Sequence, residues 1–170
     1  MTTSLGYLSV GASIVVIVGA TLLLTPYGER PLTALFAVGD VETVDFASLT
    51  PPDDPNWFLV CPPGLCAAAA SADGPVYDVS AERLRARWRE VVAAQPRTEL
   101  LAEHPDGWQF DYVQRSARFR FPDIVTVRFI AVAPERSTLA VYSRSVFGAS
   151  DFGVNRARTE AWLAILSEGP

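Results

Sequence analysis

Residues 124–147 read IVTVRFIAVAPERSTLAVYSRSVF. Two runs rich in β-branched and aromatic residues, 124–132 and 138–147, flank Pro134-Glu-Arg-Ser. That arrangement predicts two antiparallel strands joined by a short hairpin loop. Just upstream, apolar residues fall at even positions (Trp108, Phe110, Tyr112) and then at odd ones (Phe119, Phe121). Alternation along a strand has period two, so the change of phase requires a bulge or turn near residues 114–117. Residues 99–103 read as one more short strand.

Helical patterns lie on both sides of these strands. Ser80 reads as an N-cap with Glu82 in the first turn. Ala81, Leu84, Trp88, Val91 and Val92 then recur at helical spacing, and Pro96 ends the run. A last helix over residues 154–167 is expected to bury Ala161, Trp162, Ile165 and Leu166. Helix, antiparallel strands, helix is the order of an α+β fold: an antiparallel sheet packed by two helices, preceded by one N-terminal transmembrane helix. The α+β domain is placed at residues 80–170. Residues 28–79 form an acidic arm in which Thr50-Pro-Pro-Asp-Asp-Pro and Cys61-Pro-Pro-Gly predict extended or turned chain. Phe46, Trp57, Phe58 and Leu59 are expected to pin that arm to the folded part.

Residues 1–27 form the anchor. Residues 5–24, LGYLSVGASIVVIVGATLLL, carry no charge. A helix rises ~1.5 Å per residue, so this run matches a bilayer core of ~30 Å. A cleaved signal peptide would carry a basic first segment and a small-x-small cleavage site. Neither is found, so a retained single-pass anchor is expected, with the lipid bilayer as partner through residues 5–24. Orientation rests on the two cysteines, because Arg30 beside Glu29 decides little. Cys61 and Cys66, close together around a Pro-Pro-Gly turn, suit a local disulfide in an oxidising compartment. Two buried thiols are the competing reading. The balance places the soluble part outside the cytoplasm.

Composition excludes other classes. The net charge of −5 and a pI of about 4.8 oppose nucleic acid as a general partner, which needs a basic footprint. Lysine is absent, so every basic side chain is arginine. With one histidine and two cysteines, a zinc site lacks ligands, and no metal or cofactor is expected.

Residues 143–158, SRSVFGASDFGVNRAR, resemble the closing signature of the domain of unknown function 1499 family, with Gly148, Asp151, Gly153, Asn155, Arg156 and Arg158 fitting its pattern. Arg118-Phe-Arg-Phe-Pro-Asp123 resembles the family's Phe-x-Asp element, and Cys61 and Cys66 resemble its paired cysteines. The resemblance spans about residues 45–166. Leu65 and Ala67 to Ala70 depart from the asparagine and serines usual there. Tyr142 and Val146 stand where the family tends to place arginines, and Arg144 shares their strand face. The family implies a shape and no reaction.

Within the signature, Asp151 or Asn155 is expected to cap the last helix. Arg144, Ser145, Asp151, Asn155, Arg156 and Arg158 are the candidate anion-binding set, made of guanidinium groups near a helix start. The competing reading is an internal network in which Asp123 or Asp151 pairs with an arginine. His104 sits before Pro105-Asp-Gly, a turn, where a lone histidine is more often exposed and idle than catalytic, so no catalytic residue is assigned. The favoured function is a non-catalytic, envelope-associated binding module. The alternatives are an interaction subunit of a membrane complex, with a membrane protein as partner, and an enzyme acting on an anionic substrate near Arg144, Asp151 and Arg156.

Overall fold

A computed structural model of the protein describes residues 33–168. The elements in chain order are β1 (Trp57–Cys61), β2 (Ala72–Asp73), β3 (Val76–Tyr77), α1 (Ala81–Ala93), β4 (Thr98–Glu103), β5 (Gln109–Arg115), β6 (Pro122–Ala133), β7 (Arg136–Ser145) and α2 (Val154–Ser167). Residues 33–35 are also helical. The strands form one sheet in the order β2-β1-β7-β6-β5-β4, with β3 also on β7. Among the described residues only β1 and β2 run parallel; every other pair is antiparallel. The fold is α+β. The expected 5–24 span lies outside the described residues, and no helix among those described is long and apolar enough to cross a membrane.

The β6–β7 hairpin follows the sequence pattern, with Val127 opposite Val141 and Asp123 opposite Ser145. The change of phase upstream is the connection 116–121 between β5 and β6. Phe119 and Phe121 belong to that connection and not to a strand. Residues 57–77, expected as extended or turned arm, supply three strands instead. β1 lies between β2 and β7 and buries Phe58, Leu59, Val60 and Cys61 on both faces of the sheet. A strand covered on both faces shows an unbroken apolar run, so its alternation is invisible in sequence.

The two faces have different covers. α1 and α2 lie on one, where Leu84, Trp88, Val92, Trp162 and Leu166 meet the inward residues of the central strands. Trp88 and Trp162 meet edge to face with centroids 5.8 Å apart, a favoured aromatic geometry. Ser80 caps α1 as expected, its Oγ accepting from the Arg83 amide at 3.4 Å. In α2 the inward residues are Asn155, Arg158, Thr159, Trp162 and Leu166. Ala161 and Ile165 face outward, against expectation, because polar side chains occupy the inner face of the first two turns. The opposite face is covered by chain from the arm: Phe46, Val44, Leu49, Leu65 and Cys66 pack on Leu59, Cys61, Ala140 and Tyr142.

Residues 33–37 and 116–121 cluster as a unit separate from the rest. In it the ring of Phe36 meets that of Phe121 edge-on at 4.7 Å, and Phe119 stacks on Phe121 at 5.7 Å. The 116–121 connection is closed by the Ser116 amide donating to the Phe121 carbonyl at 2.9 Å and the Phe121 amide donating to Ser116 Oγ at 3.0 Å.

Cys61 and Cys66 are joined in a disulfide with Cα atoms 6.3 Å apart. Just beyond, Gly74 donates to the Cys61 carbonyl at 3.0 Å. A Cβ on Gly74 would stand 2.7 Å from the Leu139 carbonyl oxygen and 2.8 Å from the Pro62 nitrogen, both backbone atoms. The β1–β2 crossing therefore tolerates only hydrogen at this position. Gly74→Ala should cost about 1–3 kcal/mol, the usual penalty of overpacking. Denaturant unfolding of the parent and variant chains measures this, and an unchanged midpoint would show that the crossing is slack.

Candidate functional site

The expected anion-binding residues do not form one cluster. Asn155 and Arg158, one helical turn apart on α2, project into the sheet near the ends of β5, β6 and β7. Arg158 donates through Nη2 to Asp123 Oδ2, through Nη1 to Asn155 Oδ1 at 2.7 Å and Ser143 Oγ at 3.0 Å, and through Nε to Gln114 Oε1 at 2.6 Å. Ser143 Oγ donates to Asn155 Oδ1 at 2.7 Å. Asn155 Nδ2 donates to the Asn56 carbonyl at 3.0 Å and to Ser145 Oγ at 3.2 Å. Arg158, Asp123, Ser143 and Asn155 are all buried. A buried guanidinium is tolerated when a carboxylate and other acceptors take up its donors, and that condition is met. Ser145, Asn155 and Arg158 are therefore engaged with the protein itself.

Asp151 stands at the start of α2. Its Oδ1 accepts from the Gly153 amide at 3.0 Å and its Oδ2 from the Asn155 amide at 2.7 Å. These are two of the amides that a helix start leaves without partners. The N-cap position itself is Gly153, at φ 80°, a conformation that suits glycine. Asn155 supplies an amide to the cap and no capping side chain. Among the described residues no arginine pairs with Asp151. Arg156 points outward, 5.0 Å over the Phe58 ring and 4.0 Å from Glu160. With Asp151, Ser150 and Gly153 it lines a shallow hollow of about 250 Å³.

Arg144 lies on the opposite face, since strand alternation turns it away from Ser143 and Ser145. Its Nη1 donates to Thr126 Oγ1 at 3.1 Å, and its guanidinium carbon sits 4.9 Å over the Tyr142 ring. Thr126 Oγ1 donates in turn to Asp111 Oδ1 at 2.5 Å, and Asp111 Oδ2 is 2.8 Å from His104 Nε2. Register makes this chain possible, for Asp111 is opposite Thr126, and Thr126 is opposite Tyr142. Burial pushes the Arg144 guanidinium below its ordinary value, against the pull of Tyr142 and Asp111. It also raises the Tyr142 phenol, against the nearby Arg144 charge. Among the described residues no carboxylate comes within ion-pair distance of Arg144.

Arg144 opens into a groove of about 430 Å³ between the arm and the sheet, with Asn56, Tyr142 and Ser145 beside it and Glu42, Asp45 and Ser48 across from it. The Asp45 carboxylate is bound into its own turn, accepting from Ser48 Oγ at 2.7 Å and the Ala47 amide at 3.1 Å. These bonds hold its pKa below the usual carboxylate value.

His104 is not exposed and idle, because it closes the β4–β5 turn and bonds to a buried aspartate. Asp111 and Thr126 escaped the sequence reading. The available signal was a polar side chain at the same phase in neighbouring, otherwise apolar strands. Among the described residues no group of three or more His, Cys, Asp or Glu side chains could hold a metal ion.

The family model for "Protein of unknown function (DUF1499)" matches residues 50–166, and the chain belongs to that family. No curated protein matches the chain. Among solved structures, a START superfamily protein from Mycobacterium smegmatis is similar at 14% identity and a TM-score of 0.34, over 57% of this chain and 92% of that one.

Arg158→Met should leave Asp123 buried without its counterion and cost about 3–5 kcal/mol. Asp151→Ala should lose only the cap, at about 0.5–2 kcal/mol. Unfolding midpoints of the two variants rank the network above the cap, and a reversed order would contradict the assignment.

Proposed function

We propose that the protein is a membrane-tethered binding module whose soluble part lies outside the cytoplasm and whose ligand site is the groove at Arg144. The observation that carries this reading is a partly dehydrated arginine with one hydrogen bond, an aromatic face beneath it and no carboxylate partner. A guanidinium has five N–H donors in a planar fork that fits carboxylate or phosphate. With one contact to Thr126, Arg144 retains donors for an anionic group in the groove. Glu42 and Asp45 across the groove favour a ligand that also carries a cationic or hydrogen-donating part. A groove of about 430 Å³ is in the range of small-molecule sites.

The tether rests on the uncharged run at 5–24. The disulfide supports a compartment outside the cytoplasm, since such bridges persist under oxidising conditions.

Calorimetric titration of the detergent-solubilised chain with phosphoethanolamine and with inorganic phosphate tests the site. The parent should bind, and Arg144→Gln should bind about 10- to 100-fold more weakly, as expected for loss of a charge-assisted contact worth ~1.5–3 kcal/mol. Equal affinities, or no binding by the parent, would overturn the assignment. Alkaline carbonate extraction from native membranes, with N-terminal sequencing, tests the tether. Retention with residues 5–24 intact is expected; release, or a mature terminus near Thr25, would refute the tether.

A further inference from the structure

We propose that the 116–121 connection is a second membrane contact, which docks its arginine and phenylalanine side chains onto an anionic phospholipid surface. This rests on the tether proposed above.

The composition of the connection is unlike the rest of the chain. Ser116-Ala-Arg-Phe-Arg-Phe121 follows Arg115, and no carboxylate occurs between Asp111 and Asp123. In a protein with a net charge of −5, this is a local positive segment. Phe119 is 52% exposed, and Arg118 is exposed beside it. An aromatic ring in water with an adjacent guanidinium is unfavourable packing for a hairpin tip. It is a favourable arrangement at a lipid interface, where rings sit at headgroup depth and arginines meet phosphate. Each arginine near an anionic surface contributes about 1 kcal/mol of attraction.

The second observation is the neighbour of this tip. Phe36 meets Phe121 edge-on at 4.7 Å, and Leu35, 71% exposed, belongs to the same unit. Only residues 25–35 separate Phe36 from the uncharged run, a length of at most roughly 40 Å of extended chain. The tip therefore touches chain that lies close in sequence to the proposed anchor, and it has little distance to cover. An ordinary solvated hairpin loop would account for neither the stacked phenylalanine pair nor the contact with the segment that follows the anchor. Docking at this point would fix the height of the soluble part above the bilayer, which a single tether leaves loose.

The test uses the full chain in proteoliposomes. With Cys61 and Cys66 bridged, Ala117→Cys provides a single thiol for an environment-sensitive bimane label. Phosphatidylcholine vesicles with and without phosphatidylglycerol carry a lipid-borne nitroxide quencher, and carbonate extraction is run in parallel. Quenching should be strong and should rise with phosphatidylglycerol. Arg118→Glu should lower the docked-to-undocked ratio by about tenfold, and Phe119→Ser should lower it as well while the chain stays in the vesicles. A label at Glu135, on the β6–β7 turn, serves as a water-exposed control. Release by carbonate would overturn the tether, and the docking with it. Retention with an unquenched label would overturn the docking alone. So would quenching that follows protein density and not lipid charge, since that indicates a second copy at the tip.

Discussion

The buried guanidinium of Arg158 is the constraint on which the rest of the sheet depends. It reaches Gln114 at the end of β5, Asp123 at the start of β6, Ser143 near the end of β7, and Asn155 on its own helix. A charge removed from water is stable only if each of these acceptors is in place together. The strand ends must therefore lie level, and α2 must sit at one rotation about its axis. Asn155 extends the same constraint to the Asn56 carbonyl, at the entry to β1. The asparagine and arginine of the signature are thus a registration device between helix and sheet.

Arg144 makes an instructive contrast. Both arginines are withdrawn from water and both meet a hydroxyl, Ser143 for Arg158 and Thr126 for Arg144. One also meets a carboxylate directly, whereas the other sees Asp111 only through the Thr126 hydroxyl. The difference in partners, more than in burial, separates the two: Arg158 ties helix to sheet, whereas Arg144 makes one hydrogen bond to a hydroxyl. The flat ring of Tyr142 beneath Arg144 supports the cation without occupying its hydrogen-bond donors.

Much of this was legible in the sequence, and the exceptions have physical causes. The β6–β7 hairpin, both ends of α2, the Ser80 cap and the cysteine pair were read from local chemistry, which depends on near neighbours only. β1 was missed because it is covered on both faces and sits between prolines, so its periodicity is erased and its flanks suggest loop. Ile165 was placed inward because hydropathy assigns apolar residues to the core, whereas the inner face near the start of α2 is taken by Asn155, Arg158 and Thr159. The chain from His104 to Arg144 joins three strands through their register, which no single segment encodes. Strand alternation does separate Arg144 from Ser143 and Ser145. It does not reveal that α2 lies on the serine side.

The placement of β1 has a consequence for how the chain is made. Asn56 and Asn155, which meet in the finished sheet, are 99 residues apart in sequence. A ribosome adding ~5–20 residues per second needs ~5–20 s to cover that distance. For most of that interval the apolar strand Trp57–Cys61 has no β7 beside it, while its own cysteine already has Cys66 close by in sequence. A disulfide closed within this window would tie the end of the waiting strand into a compact turn, and the flanking prolines lack amide donors for a neighbouring chain. The earliest-made strand is also the most exposed to wrong partners, and these local features are its protection until the last strand arrives.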